Sequence, residues 1–120
     1  MPAKHAVKVG RVYDARAWGD GNRILVDRLW PRGLPKVEAD LDEWSTQIAP
    51  STALRTWYRH DPQHFDKFGE HYRAELEQPE PAEALDHLRS LAKRRNLTLL
   101  TATKNIDIGH AIVLAGLLRT

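Results

Sequence analysis

At 120 residues, with 42% hydrophobic and 28% charged side chains, the chain has the make-up of one folded domain around one core and not of a disordered segment. It contains no cysteine, which excludes disulfides, thiolate nucleophiles and Cys-ligated zinc or iron–sulfur centres. The net charge is only +2, but residues 1–36 carry eight Lys/Arg against three acids, while the remainder carries ten against thirteen. Such an asymmetry either favours an anionic partner for the N-terminal third or is cancelled internally by acids of the later helices.

The first residues, MPAKHAVKVG, lack the apolar core of a signal peptide, and no apolar run is long enough to span a bilayer. A cytoplasmic, soluble protein with no membrane partner is expected, with residues 1–6 a loose start to a single domain over 1–120. VKVGRVY (7–13) alternates as a strand does, and DARAWGDGN then forms a turn-rich loop. RILVDRLW is a second strand whose unbroken Ile24-Leu25-Val26 run suits burial on both faces; the following PRGLPK stops it.

Helical signals fill the middle of the chain. Asp40 and Glu43 have capping-box spacing, with Leu41, Trp44 and Ile48 on one face. Pro50-Ser51-Thr52 offers an N-cap before Leu54, Trp57 and Tyr58. Asp61-Pro62 starts another helix, striped by Phe65, Phe68, Tyr72 and Leu76. The prolines of PEP (79–81) open a further helix carrying Leu85, Leu88 and Leu91, with Asn96 as its C-cap. LTLLTAT (97–103) is the third clear strand, and HAIVLAGLLR forms a nearly uncharged last helix. The order predicts an α/β domain: a small, mostly parallel or mixed sheet covered by about five helices.

In open α/β sheets ligands bind beyond the carboxyl ends of strands. The candidate ligand-binding residues at those exits are Asp14, Arg28, Arg32, Thr103 and Lys104, with His110 the candidate catalytic acid or base. Asp107 as a helix cap would put His110 in the first turn of the last helix, where the dipole favours an anion. Strand alternation sets Asp27 and Arg28 on opposite faces, so Asp27 is assigned a bracing role and Arg28 the ligand. The expected partner is a small anionic, phosphate-like molecule. Hydrolysis or group transfer is the enzymatic form of this reading. The competing class is a non-catalytic nucleic-acid or protein-binding module using Arg16, Arg23 and the loop residue Trp18.

Other site chemistries find less in the sequence. His60, Asp61, His64 and His71 are possible metal ligands, but His64 and His71 lie seven apart and no HExxH is present, so no metal is expected. No cofactor is expected either, since GxxxxGK[ST], GxGxxG and GxSxG are all missing. A helix-turn-helix over 52–77 would present the acids Asp66, Glu70, Glu75 and Glu77 to phosphates, which disfavours it.

RVYD (11–14), RILVDRLWPRG (23–33), LDEW (41–44), IAPST (48–52), YRAEL (72–76) and the stretches LTLLTATKN and HAIVLAGLLR resemble the YeaO-like branch of the domain-of-unknown-function 488 family. The resemblance covers nearly the whole chain and implies a single-domain α/β protein of bacterial type, with no activity attached. Other branches look to carry a Cys-His-Arg near the start of the last helix and a Cys and Glu at the preceding strand end. The matching positions here are Gly109, His110 and Ala111, and Thr101 and Thr103. Only the histidine is kept, so thiol-dependent chemistry does not carry over.

Overall fold

The computed structural model describes residues 5–119, and its sheet is built from four strands: β1 (Val7–Arg11), β2 (Asn22–Leu25), β3 (Glu43–Trp44) and β4 (Leu97–Thr101). Every pairing is parallel, in the order β1-β4-β2-β3, so the strand latest in the chain takes an interior place. That place accounts for its composition. LTLLT is buried at all five residues, as a strand paired on both edges and covered on both faces must be.

Four α-helices accompany the sheet: α1 (Thr52–Tyr58), α2 (Phe65–Glu75), α3 (Pro79–Arg94) and α4 (His110–Leu118). Single 3-10 turns at 36–38, 62–64 and 106–108 complete the helical content of the described residues. The α/β expectation holds, and the figure of about five helices becomes these four with their short turns. The two faces of the sheet are covered differently. Ile24, Val26, Leu97 and Leu99 pack with the helices, while Leu25 and Leu100 point the other way. There they meet Val12, Trp30, Leu34 and Leu41, so the irregular segment after β2 covers the second face.

Local signals explain most element ends. Ser51 accepts the Leu54 N–H as the N-cap of α1 and donates its hydroxyl to Glu75, tying α1 to α2. Asp61 accepts the Gln63 N–H, and the 3-10 turn it opens runs into α2. Phe68, Tyr72 and Leu76 form the buried stripe of that region, and the enclosed Tyr72 hydroxyl donates to the Ile48 carbonyl. Gly21, at φ +64, precedes β2 where a Cβ would fall 1.9 Å from the Asn96 carbonyl oxygen, so only glycine fits.

Three expectations need correction. No helix runs through Leu41, Trp44 and Ile48; Glu43 and Trp44 pair with β2, and the Asp42 and Ser45 N–H groups donate to Arg23 and Leu25 carbonyls. The free edge of β2 offers acceptors that must be satisfied, and the acids of the apparent capping box are engaged elsewhere, Asp40 by Arg16 and Glu43 by His87. Asn96 does not cap α3, whose C-cap is Arg95; it accepts the Ala6 N–H and donates to the Gly19 carbonyl. Asp107 does not cap α4, whose N-cap is Gly109. Of the loose start expected over residues 1–6, residues 1–4 lie outside the described residues, and Ala6 is already bonded to Asn96 and Leu97. No helix of the described residues is long and apolar enough to cross a membrane.

Candidate functional site

β2 and β4 end side by side, and just beyond them the Val26 N–H donates to the Leu100 carbonyl at 3.0 Å. This sets Asp27 against the exit of β4. Its Oδ1 accepts the Thr101 hydroxyl at 2.7 Å and its Oδ2 accepts the Ala102 N–H at 2.8 Å. His110, the first residue of α4, brings Nε2 to 2.9 Å from the Val26 carbonyl and 3.3 Å from Asp27 Oδ1. Both neighbours are acceptors, so Nε2 carries a hydrogen and Nδ1 is the ring nitrogen left without a partner among the described residues. Burial pushes the Asp27 carboxyl up, but the bonds from His110, Ala102 and Thr101 outweigh it and hold the group below its ordinary 3.8.

Arg28 follows where strand geometry has already ended, for β2 stops at Leu25 and the chain bends at Arg28 and Leu29. The alternation expected to place Asp27 and Arg28 on opposite faces therefore does not apply, and both line one pocket. Arg28 donates through Nη2 to the Ala49 carbonyl at 3.2 Å and through Nε to the Pro50 carbonyl at 3.4 Å. These are long bonds to neutral acceptors, so its charge is not cancelled.

The pocket encloses about 380 Å³ at the carboxyl ends of β2 and β4. Pro31, Ala49, Pro50 and Phe68 give it apolar surface. Its charged and titratable groups are Arg28, Arg32 and Arg55, the imidazoles of His60 and His110, the Tyr58 phenol, and one carboxylate, Asp27. Arg55 comes from α1, and His60 from the turn that ends that helix. Arg59 and His60 have φ 51° and 55°, two consecutive non-glycine residues in the left-handed region. That turn folds the His60 ring onto Tyr58, with centroids 5.4 Å apart, and Tyr58 in turn stacks on buried Phe68 at 4.2 Å. The Tyr58 hydroxyl donates to the Ile108 carbonyl at 2.6 Å, fixing this column against the segment before α4. Partial burial of the ring, then its electrostatic interactions with His110 and Arg55, hold His60 below its ordinary 6.5.

The structure thus gathers Asp27, Arg28, Arg32, Thr103 and His110 around one pocket, and leaves Asp14 and Lys104 outside its lining. Asp14 closes the turn after β1, its Oδ2 accepting the Arg11 N–H at 3.0 Å. Lys104 is exposed in the loop beyond β4. Arg55 and His60 were not among the residues singled out for this site. Their only signal was a run of bulky residues, Tyr58-Arg59-His60, ending a helix just before Asp61-Pro62 without the glycine that such an ending favours.

The basic N-terminal third is largely occupied internally. Arg16 pairs with Asp40 at 2.8 Å and Asp42 at 3.3 Å, and Arg11 donates to the Ala102 and Thr103 carbonyls. Asp20 holds both Lys8 at 2.6 Å and Arg23 at 3.0 Å, and Arg23 is only 1% exposed. Trp18 is fully exposed and away from the pocket. His64 and His71 flank Trp57, while His60 lies on Tyr58, and among the described residues no three potential metal ligands converge.

Residues 6–120 match the family described as the inactive DUF488-N3 subclade. The uncharacterised protein YeaO of Escherichia coli is 46% identical over 114 residues, covering 95% of this chain and 97% of its own length. The uncharacterised protein Rv3073c of Mycobacterium tuberculosis is 44% identical over 118 residues, 98% of each chain. No solved structure matches the chain.

Proposed function

The chain belongs to the YeaO-like branch of the DUF488 family, in the subclade described as inactive, and from that premise we propose that it binds a small anionic, phosphate-like molecule without turning it over. One observation carries this reading: three guanidinium groups and two imidazoles line a single pocket whose one carboxylate, Asp27, is already occupied by Thr101, Ala102 and His110. A pocket with excess positive charge and apolar walls attracts an oxyanion and strengthens each bond to it by excluding water.

The Asp27–His110 contact favours a second reading, a hydrolase or transferase. Asp27 orients the ring as a triad carboxylate does, leaving Nδ1 to transfer a proton while Arg28 steadies developing negative charge. Against it, the hydroxyl nearest this pair, that of Thr101, is spent on Asp27, and the chain has no cysteine. A nucleic-acid or protein-binding module on the N-terminal third has less support, since Arg16 and Arg23 are neutralised by Asp40, Asp42 and Asp20.

Inorganic phosphate and a panel of phosphorylated metabolites test the proposal by thermal shift. At tenfold excess over Kd a ligand stabilises by about 1.4 kcal/mol, raising Tm by roughly 4 °C or more. The Arg32→Ala/Arg55→Ala double variant should melt as the wild type does and lose that shift. An unshifted wild type across the whole panel, with no change in amide resonances of the pocket residues, would refute the reading.

A further inference from the structure

His60 stands apart from the other pocket residues in how it is held. Two successive left-handed residues are an unfavourable way to end a helix, yet they turn His60 back over the pocket. There its ring is the exposed end of a column, His60 on Tyr58 on Phe68, whose inner member is buried in the core. The ring is thereby fixed in direction. Tyr58 covers one face, and no hydrogen bond to either of its nitrogens is formed among the described residues.

The groups around it are mostly of one sign. From α1 comes Arg55, from the bend after β2 come Arg28 and Arg32, and from the start of α4 comes His110; Asp27 alone opposes them within the pocket, and Tyr58 stays neutral. The neighbours in sequence are Arg59 and Asp61, the latter 3.4 Å from the His64 ring and accepting the Gln63 N–H. With both imidazoles neutral, three guanidiniums and one carboxylate leave the pocket an excess of two positive charges. Resting on the phosphate-binding reading, we infer that the pocket takes a dianionic oxyanion group, and that His60 contacts this group and takes up one proton as it binds. The empty pocket disfavours a further positive charge at His60, and a dianion reverses the local field and supplies an acceptor for the new N–H. A monocarboxylate matches neither the charge nor the number of donors.

Sulfate is the probe of choice because it remains a dianion across the neutral range, so any pH dependence belongs to the protein. Isothermal titration in buffers of different ionisation enthalpy should show uptake of close to one proton per sulfate. The sign follows from linkage: binding raises the His60 pKa, so affinity is greatest at low pH. It weakens by up to about tenfold per pH unit between the free and bound values. Acetate should bind roughly tenfold more weakly or worse. The His60→Asn variant keeps a residue that tolerates the left-handed backbone. It should melt like the wild type, bind sulfate with little pH dependence and take up no proton.

The outcomes separate cleanly. Absence of sulfate binding at any pH overturns the phosphate-binding reading itself. Binding without proton uptake, or uptake that survives in His60→Asn and is lost in His110→Asn, overturns the role of His60 and leaves the pocket standing. Acetate binding as tightly as sulfate overturns the dianion. The His60 ring resonances of the wild type give the same answer without a variant: their titration must move to higher pH when sulfate is added, and an unmoved midpoint refutes the inference.

Discussion

Asp27 shows how one side chain can tie two strand ends and a helix together. Its two oxygens accept from the Thr101 hydroxyl and the Ala102 N–H and face the His110 ring, so the exit of β4 and the start of α4 both depend on it. The Asp27 and Asp20 carboxyls both lie below their ordinary 3.8 when folded, Asp27 against the opposing effect of burial and Asp20 chiefly through Lys8. A depressed carboxylate contributes stability above its unfolded value and loses it as pH falls through the folded one. Melting temperature should therefore hold near neutrality and drop steeply below about pH 4. Asp27→Asn should lose about 1–3 kcal/mol at pH 7, because the amide cannot accept at both oxygens, and should lessen the acid dependence. Chemical denaturation at pH 7 and pH 4 measures both. An Asp27→Asn protein as stable as the wild type at pH 7 would remove the bracing role. At this scale the charged residues of the strand exits were legible, and their directions were not. Asp14 and Lys104 sit at strand exits just as Arg28 and Thr103 do, yet turn bonding and solvent claim them.

Elements carry the second layer of information, and here periodicity was a good guide wherever a segment had a single set of backbone partners. Phe68, Tyr72 and Leu76 fall on the stripe their spacing implies, and the Ile24 and Leu99 runs are the buried strands they resemble. Glu43–Trp44 shows the limit. A helical pattern of Leu41, Trp44 and Ile48 yields to the open edge of β2, and no local feature of the sequence announces that edge. The end of α1 shows another. Its left-handed Arg59 and His60 depart from the glycine that such a cap prefers, and both belong to a turn that shapes the pocket. Replacing Arg59 by glycine should raise stability by about 1 kcal/mol, since the strain is relieved and the cap carbonyl contact to Arg55 is kept. A thermal melt checks this, and a loss of stability would mean that the Arg59 side chain contributes more than its backbone costs.

For the molecule as a whole, the sheet order decides what the residues and elements can do. β4 lies between β1 and β2, and that insertion is what sets Thr101 and Ala102 beside Asp27 and brings α4 with His110 to the pocket. Its tightest joint is Gly21, whose Cα faces the Asn96 carbonyl at the entrance to both strands. Gly21→Ala should cost more than about 3 kcal/mol, combining a left-handed φ with a backbone collision, and should appear as loss of cooperative unfolding by circular dichroism. Full stability in that variant would mean that the strands tolerate separation at their entrance. None of this was open to reading from the strands alone, because their sequences specify burial and leave order unspecified.

The interior position of β4 also sets a timetable. Val7 is paired with Leu97 and Asn22 with the same residue, so β1 and β2 have no common neighbour until most of the chain has left the ribosome. Until then their apolar runs are open edges without a template, exposed to association with other nascent chains. Pairing strands this far apart in sequence should slow folding, which refolding kinetics would measure. The pocket, lying across the β2–β4 seam, therefore takes shape only once β4 has joined the sheet.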